Sequence, residues 1–180
     1  MRSPSRKPAL AAAMLALTLT LAVPPAGAAD RDAEAWYRGC MESAESDPAR
    51  ALDQAEARRK AGDGPPAGHC AAVALVRLGR FEDGAKRFEA LAAEAARPDL
   101  RAALLDQAAA AWLLKGSAEK ALPLLDAAVG IAPEDAGLRL DKAAALADLG
   151  RYKDAVAELD RAVALEPALA DAYAFRASAL

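Results

Sequence analysis

LGRYKDAVAELDRAVALEP occupies residues 149–167, and two earlier stretches follow the same outline: LKGSAEKALPLLDAAVGIAP at 114–133 and LGRFEDGAKRFEAL at 78–91. Gly79, Gly116 and Gly150 mark the same point in each copy, 37 and 34 residues apart, and Pro133 and Pro167 close two copies, again 34 apart. A period near 34 with a glycine turn inside and a proline at the end is the pattern of stacked helical hairpins. One hairpin cannot bury its apolar face, so the next must stack on it, and the stack presents a curved surface rather than an interior cavity for chemistry. Alanine is abundant and aromatics make up only 4%. Alanine favours helix and lets helices approach closely, whereas strands prefer β-branched and aromatic residues. The fold class read from these features is all-α, a right-handed α-solenoid of stacked antiparallel helix pairs.

The N-terminal residues 1–29 read differently. Arg2, Arg6 and Lys7 precede the apolar run ALAAAMLALTLTLAV at 9–23, Pro24 and Pro25 end it, and Ala26-Gly27-Ala28 supplies small residues. That is the layout of a secretory signal peptide, with cleavage expected near Ala28 or Ala29. The run falls short of the roughly 20 residues that a spanning helix needs. A periplasmic or secreted location is expected, with no stable membrane insertion after cleavage. Removing residues 1–29 takes away three basic side chains and no acidic one, which moves the net charge from −3 to −6. Such a chain is a poor match for nucleic acid or an anionic membrane surface, and any preference should be for a basic partner.

Cys40 and Cys70 lie in the exported segment. Two cysteines in an oxidising compartment read as a disulfide or as two free thiols. A metal site would need more ligands, and His69 is the single histidine. His69 beside Cys70 invites a thiolate–base reading, but neighbours on a helix point about 100° apart. No HExxH, glycine-rich phosphate loop or GxSxG is present, so no enzyme activity and no cofactor are expected.

With these residues in view, the chain resembles the tetratricopeptide repeat family. Aligning Pro167 with the family's closing proline puts Ala143, Ala155 and Ala162 on its small positions and Leu146, Tyr152 and Leu159 on its large ones. Arg139 stands where a large apolar residue is expected, a departure that should weaken the packing of that first helix. Aligning Pro133 likewise gives Ala109, Ala121 and Ala128, with Leu105, Trp112 and Leu125. Ala118 departs from the pattern, and Pro123 is tolerable only if its helix begins close by. The unit before them is looser. Its second helix is read as running on through EALAAEAA at 89–96, which would account for the 37-residue spacing. The resulting division is a divergent hairpin at 30–64, with Asp47 capping and Pro48 opening its second helix. Repeats at 65–98, 99–134 and 135–168 and a partial copy at 169–180 follow. The last copy reads as part of a longer array, or as an end that caps the stack or pairs with a second chain.

In that family the first helix of each pair lines the concave face. The resemblance therefore implies a groove carrying Trp36, Tyr37, His69, Arg77, Asp106, Gln107, Asp141 and Asp148. It also places Cys40 and Cys70 on adjacent inner helices, where a bridge would pin the first hairpin to the second and close a loop worth about 2–4 kcal/mol. Asp106, Asp141 and Asp148 form an acidic stripe, read either as a site for a basic segment or as ordinary solvated charges. The Lys, Arg and Asn set with which the family clamps peptide C-termini is absent apart from Arg77. Both tryptophans read first as packing residues. The reading is a non-enzymatic interaction scaffold of the cell envelope. The alternatives are a small-ligand-binding solenoid and the accessory domain of a larger enzyme.

The register makes one sharp prediction. Ala155→Asp places an unpaired charge in a close helix contact. Its circular-dichroism melt should lose the cooperative transition of the last repeats, and an unchanged melt would refute the register.

Overall fold

The computed structural model describes residues 28–179 and the side chains of 31–175. The signal-peptide reading falls outside them, except that Ala28 and Ala29 open the first helix. Among the described residues every element is a helix: α1 (Ala28–Ser46), α2 (Pro48–Lys60), α3 (Pro65–Arg77), α4 (Phe81–Glu94), α5 (Pro98–Leu114), α6 (Ala118–Ile131), α7 (Ala136–Asp148), α8 (Tyr152–Leu165) and α9 (Ala170–Ala179). None is long and apolar enough to cross a membrane.

Among the described residues consecutive helices pack antiparallel, and in addition α1 touches α3 and α5 touches α7. The odd-numbered helices thus form the inner layer of a right-handed solenoid. The turns that reverse the chain after α3, α5 and α7 are built alike. Gly79, Gly116 and Gly150 have φ of 74°, 75° and 71°, a left-handed conformation that glycine adopts without a Cβ penalty. In each, the glycine N–H bonds a carbonyl three residues back and the next N–H bonds one five back, as in Arg80 N to Leu75 O at 2.9 Å, Ser117 N to Trp112 O at 2.9 Å and Arg151 N to Leu146 O at 2.8 Å. These Schellman caps satisfy the last carbonyls of each inner helix. At α2 the Asp47 carboxylate accepts from Arg50 N at 3.1 Å, and Pro48 takes the first turn, where its missing N–H costs nothing.

The core is a row of close contacts at alanine. Ala85, Ala109, Ala121, Ala143, Ala155 and Ala162 are fully buried. Phe88, Trp112, Leu125, Leu146 and Leu159 fill the larger spaces between them, each worth roughly 1.5–3 kcal/mol. At the tightest approach, a Cβ on Gly84 would lie 2.6 Å from Val76 Cγ2. Ala172 is buried, and Leu169 and Phe175 join it on the core of α8.

Three sequence expectations change. The 37-residue spacing does not come from a long α4, which at 14 residues matches α6 and α8. Pro98 starts α5 early instead, giving it 17 residues against 13 in α7. Pro123 is not in a first turn, because α6 already begins at Ala118. It therefore removes the bond to the Glu119 carbonyl, and the buried face of Ala121, Leu125 and Ala128 keeps the helix intact around it. Arg139 does not weaken packing by leaving a gap. Its guanidinium meets Glu158 at 3.0 Å and the Pro133 carbonyl at 2.6 Å.

Pro123→Ala restores one backbone hydrogen bond in α6 and relieves the ring's crowding of the preceding turn. Urea denaturation should show a gain of about 1–3 kcal/mol. No gain would mean that α6 is bent around the proline at no cost.

Candidate functional site: the inner helices

The inner helices carry two linked arrangements. The first joins three of them. On α1, the Tyr37 hydroxyl lies 3.0 Å from His69 Nδ1 on α3, and His69 Nε2 lies 2.8 Å from Gln107 Oε1 on α5. Gln107 Oε1 can only accept, so Nε2 carries the proton and Tyr37 donates to Nδ1, which fixes one neutral tautomer. Burial pushes the His69 pKa down, partly offset by Gln107, and pushes the Tyr37 pKa up. The ring of His69 also meets Phe88 edge-on, with centroids 5.5 Å apart. One turn along α1, Cys40 is bonded to Cys70 of α3. With that pair oxidised there is no thiol for His69 to activate.

The second arrangement joins α5 to α7. Asp106 and Asp141 face each other across the helix pair. Asp106 Oδ1 is buried without a hydrogen-bond partner. Burial, the charge of Asp141, its hydrogen bond and the charge of Asp135 push the Asp106 pKa up to about 7. Burial and Asp135 also raise Asp141, while the hydrogen bond from Asp106 pulls it back. Each carboxyl therefore makes the other's ionisation harder, and the pair gives up its second proton at a higher pH than a lone aspartate would. Asp141 is exposed to water. The third carboxylate acting on the pair is Asp135, the N-cap of α7, which accepts from Leu138 N at 3.2 Å. Asp148 lies two turns further along α7 and is exposed.

The remaining candidates have local partners. Trp36 packs into the first core cluster with the Arg58 guanidinium 4.8 Å above its ring. Arg77 pairs with Glu45, tying the far ends of α1 and α3 together. Trp112 is buried, donates to Glu89 at 2.7 Å and has Lys120 4.0 Å from its ring centre. Among the described residues no cluster of His, Cys, Asp and Glu could hold a metal ion.

Two features escaped the sequence. One is a pocket of about 260 Å³ where α3 and α5 begin and α4 ends. Tyr37, Pro65, Leu91, Leu100 and Leu104 supply its apolar walls, with His69 and Glu94 as its polar members. The other is a knot around Glu158 on α8, only 5% exposed. Arg139, Lys142 and Arg161 all reach it within 3.1 Å, and Lys142 also meets Asp126 at 2.9 Å. Burial alone would raise the Glu158 pKa, but Lys142, Arg139 and Arg161 hold it below the usual value. Arg139 was the one visible signal, as a charge on an apolar position.

Residues 113–179 match the tetratricopeptide repeat family. Those residues carry the tetratricopeptide repeat. No curated protein matches it. Solved structures with the same fold include a double mutant of MamA RS-1, at TM-score 0.68 and 20% identity over 82% of this chain and 83% of that one. MamA from Desulfovibrio magneticus RS-1, residue 41 to the end, aligns at 0.67 and 21% over 82% and 84%. YrrB, described as a tetratricopeptide repeat protein with an unusual peptide-binding site, aligns at 0.60 and 18% over 78% and 74%. At these identities the likeness establishes the fold.

The acid pair fixes a pH dependence of stability. An unfolded Asp has a pKa near 3.9, so between about pH 4 and 7 the folded state binds the extra proton and stability falls as pH rises. Asp106→Asn should remove that slope, stabilising the protein more at pH 8 than at pH 4 in thermal melts. Equal effects at both pH values would show that the pair does not share a proton.

Proposed function

We propose that the repeats form a protein-interaction scaffold that holds an extended peptide segment along the inner face of α1, α3, α5 and α7, with a preference for basic residues. The observation that carries this reading is the Asp106–Asp141 pair. Two carboxyls held together beside a third, without a cation among them, lower the stability of the fold. A Lys or Arg from a partner would relieve that repulsion. The Glu158 knot supports the contrast, since there the same fold surrounds a buried acid with three cations of its own. Helical repeats present such concave surfaces to peptides, and YrrB carries a peptide-binding site on the same fold. The signal-peptide layout at 1–29 supports work outside the cytoplasm, in a bacterial envelope. A disulfide between Cys40 and Cys70 suits an oxidising compartment.

The test is selection of random peptides on immobilised protein. Lys and Arg should be enriched at about pH 8, where both carboxyls are ionised, and less so at about pH 6, where the pair keeps its proton. Enrichment should vanish in the Asp106→Asn, Asp141→Asn double variant. Selection of basic peptides unchanged by the double variant would overturn the assignment of the acid pair.

A further inference from the structure

The pocket at the start of α3 and α5 and the acid pair share helix α5. Leu104 lines it, Gln107 stands one turn further along α5 and binds the His69 that also lines it, and Asp106 precedes Gln107. At about 260 Å³ the pocket is smaller than the roughly 300–1,000 Å³ of sites that enclose a whole drug-sized molecule, and it suits one side chain. Its walls are rigid. Pro65 is fixed in φ, Leu104 is 5% exposed, and Tyr37 is held by His69 on a helix that the Cys40–Cys70 bond pins to α3. Leu100, at 45% exposed, leaves apolar surface uncovered at the mouth. One carboxylate, Glu94, lines the mouth. Glu94 has no ion pair, whereas the nearby cations are committed, Arg97 to Asp99 and Arg101 to the Ala95 carbonyl at 2.9 Å.

Neighbouring helices lie about 8–10 Å apart, so a pocket between α3 and α5 and a carboxyl pair between α5 and α7 are about one such step from each other. An extended peptide, rising about 3.3 Å per residue, covers that step in about three residues. Resting on the groove reading above, we infer that the pocket is the anchor subsite for one leucine- or phenylalanine-sized side chain of the bound peptide, whose Lys or Arg about three residues away meets Asp106 and Asp141. The occupant is a peptide, not a free small molecule, because the two points of recognition lie on different helix pairs and only a chain spans them.

The probe is an acetylated, amidated heptapeptide, Lys-Ser-Ser-Leu-Ser-Ser-Lys, which offers a cation in either chain direction. It is titrated into the full chain to about 5 mM, so that even millimolar binding registers, and followed by methyl and amide NMR. The leucine methyls of Leu91, Leu100 and Leu104 should shift. The same peptide with Glu for Lys should bind at least about fivefold more weakly, and the one with Ser for Leu should leave those methyls unmoved. Leu100→Ser, at an exposed site that spares the fold, should weaken the lysine peptide about fivefold. Asp141→Asn should weaken the lysine peptide and not the glutamate one. Amide shifts along α3, α5 and α7 with unmoved methyls, or equal binding of the Lys and Glu peptides, would overturn the anchor subsite. In the first of these cases the groove reading would still stand. No shift anywhere would overturn both.

Discussion

The structure depends on how closely one helix can approach the next, and alanine sets that distance. At Ala85, Ala121, Ala143 and Ala155 the backbones come together with nothing larger than a methyl between them. Gly84 goes further and admits Val76 where no Cβ would fit. Close approach has an energetic consequence. A methyl buries little area, so an alanine contact contributes less than a leucine contact. Leu125, Leu159, Trp112 and Phe88 contribute the most per residue, one or two per hairpin, and polar links between hairpins supplement the apolar contacts. Lys115 reaches Glu82 in the preceding unit, and Arg87 reaches Glu56 at 2.8 Å. Such half-buried pairs contribute little each. A single alanine contact therefore fixes geometry more than it supplies energy.

The two acid sites show what that geometry permits. Glu158 and Asp106 both sit where helices meet and both lose water. Glu158 recovers the loss through three cations, so it stays ionised and holds α7 to α8. Removing one partner from such a buried set leaves a charge uncompensated, which is the costly case. Asp106 has another carboxyl for a neighbour and recovers the loss only by keeping a proton. A charge cluster complete within the chain is a structural joint. One that lacks its counter-charge, on an inner wall open to solvent, is where an external partner can contribute most.

The first hairpin departs furthest from the repeat pattern and is held by other means. Cys40–Cys70, Tyr37–His69 and Glu45–Arg77 all join α1 to α3, spread over the lengths of the two helices. Its core is small, made of Ala44, Ala51, Ala55 and the cysteines with Trp36 and Leu52 alongside. A covalent bond there offsets what a divergent terminal unit lacks in apolar burial.

By itself the sequence determined everything that depends on neighbours three, four or 34 positions away. The glycine caps, the Asp47 cap, the alanine rows, the helix pairs and the solenoid follow from local spacing, because capping and amphipathic faces are short-range properties of a helix. It also placed Tyr37, His69, Gln107, Asp106 and Asp141 on one inner face. Only the tertiary structure decided which of them meet. Asp135 and not Asp148 acts on the acid pair, although the two stand six and seven residues from Asp141 along the chain. Arg139 finds Glu158, 19 positions later on the next helix. The pocket takes walls from four helices. Such contacts depend on the angle between hairpins and on rotamers, and neither leaves a period in the sequence.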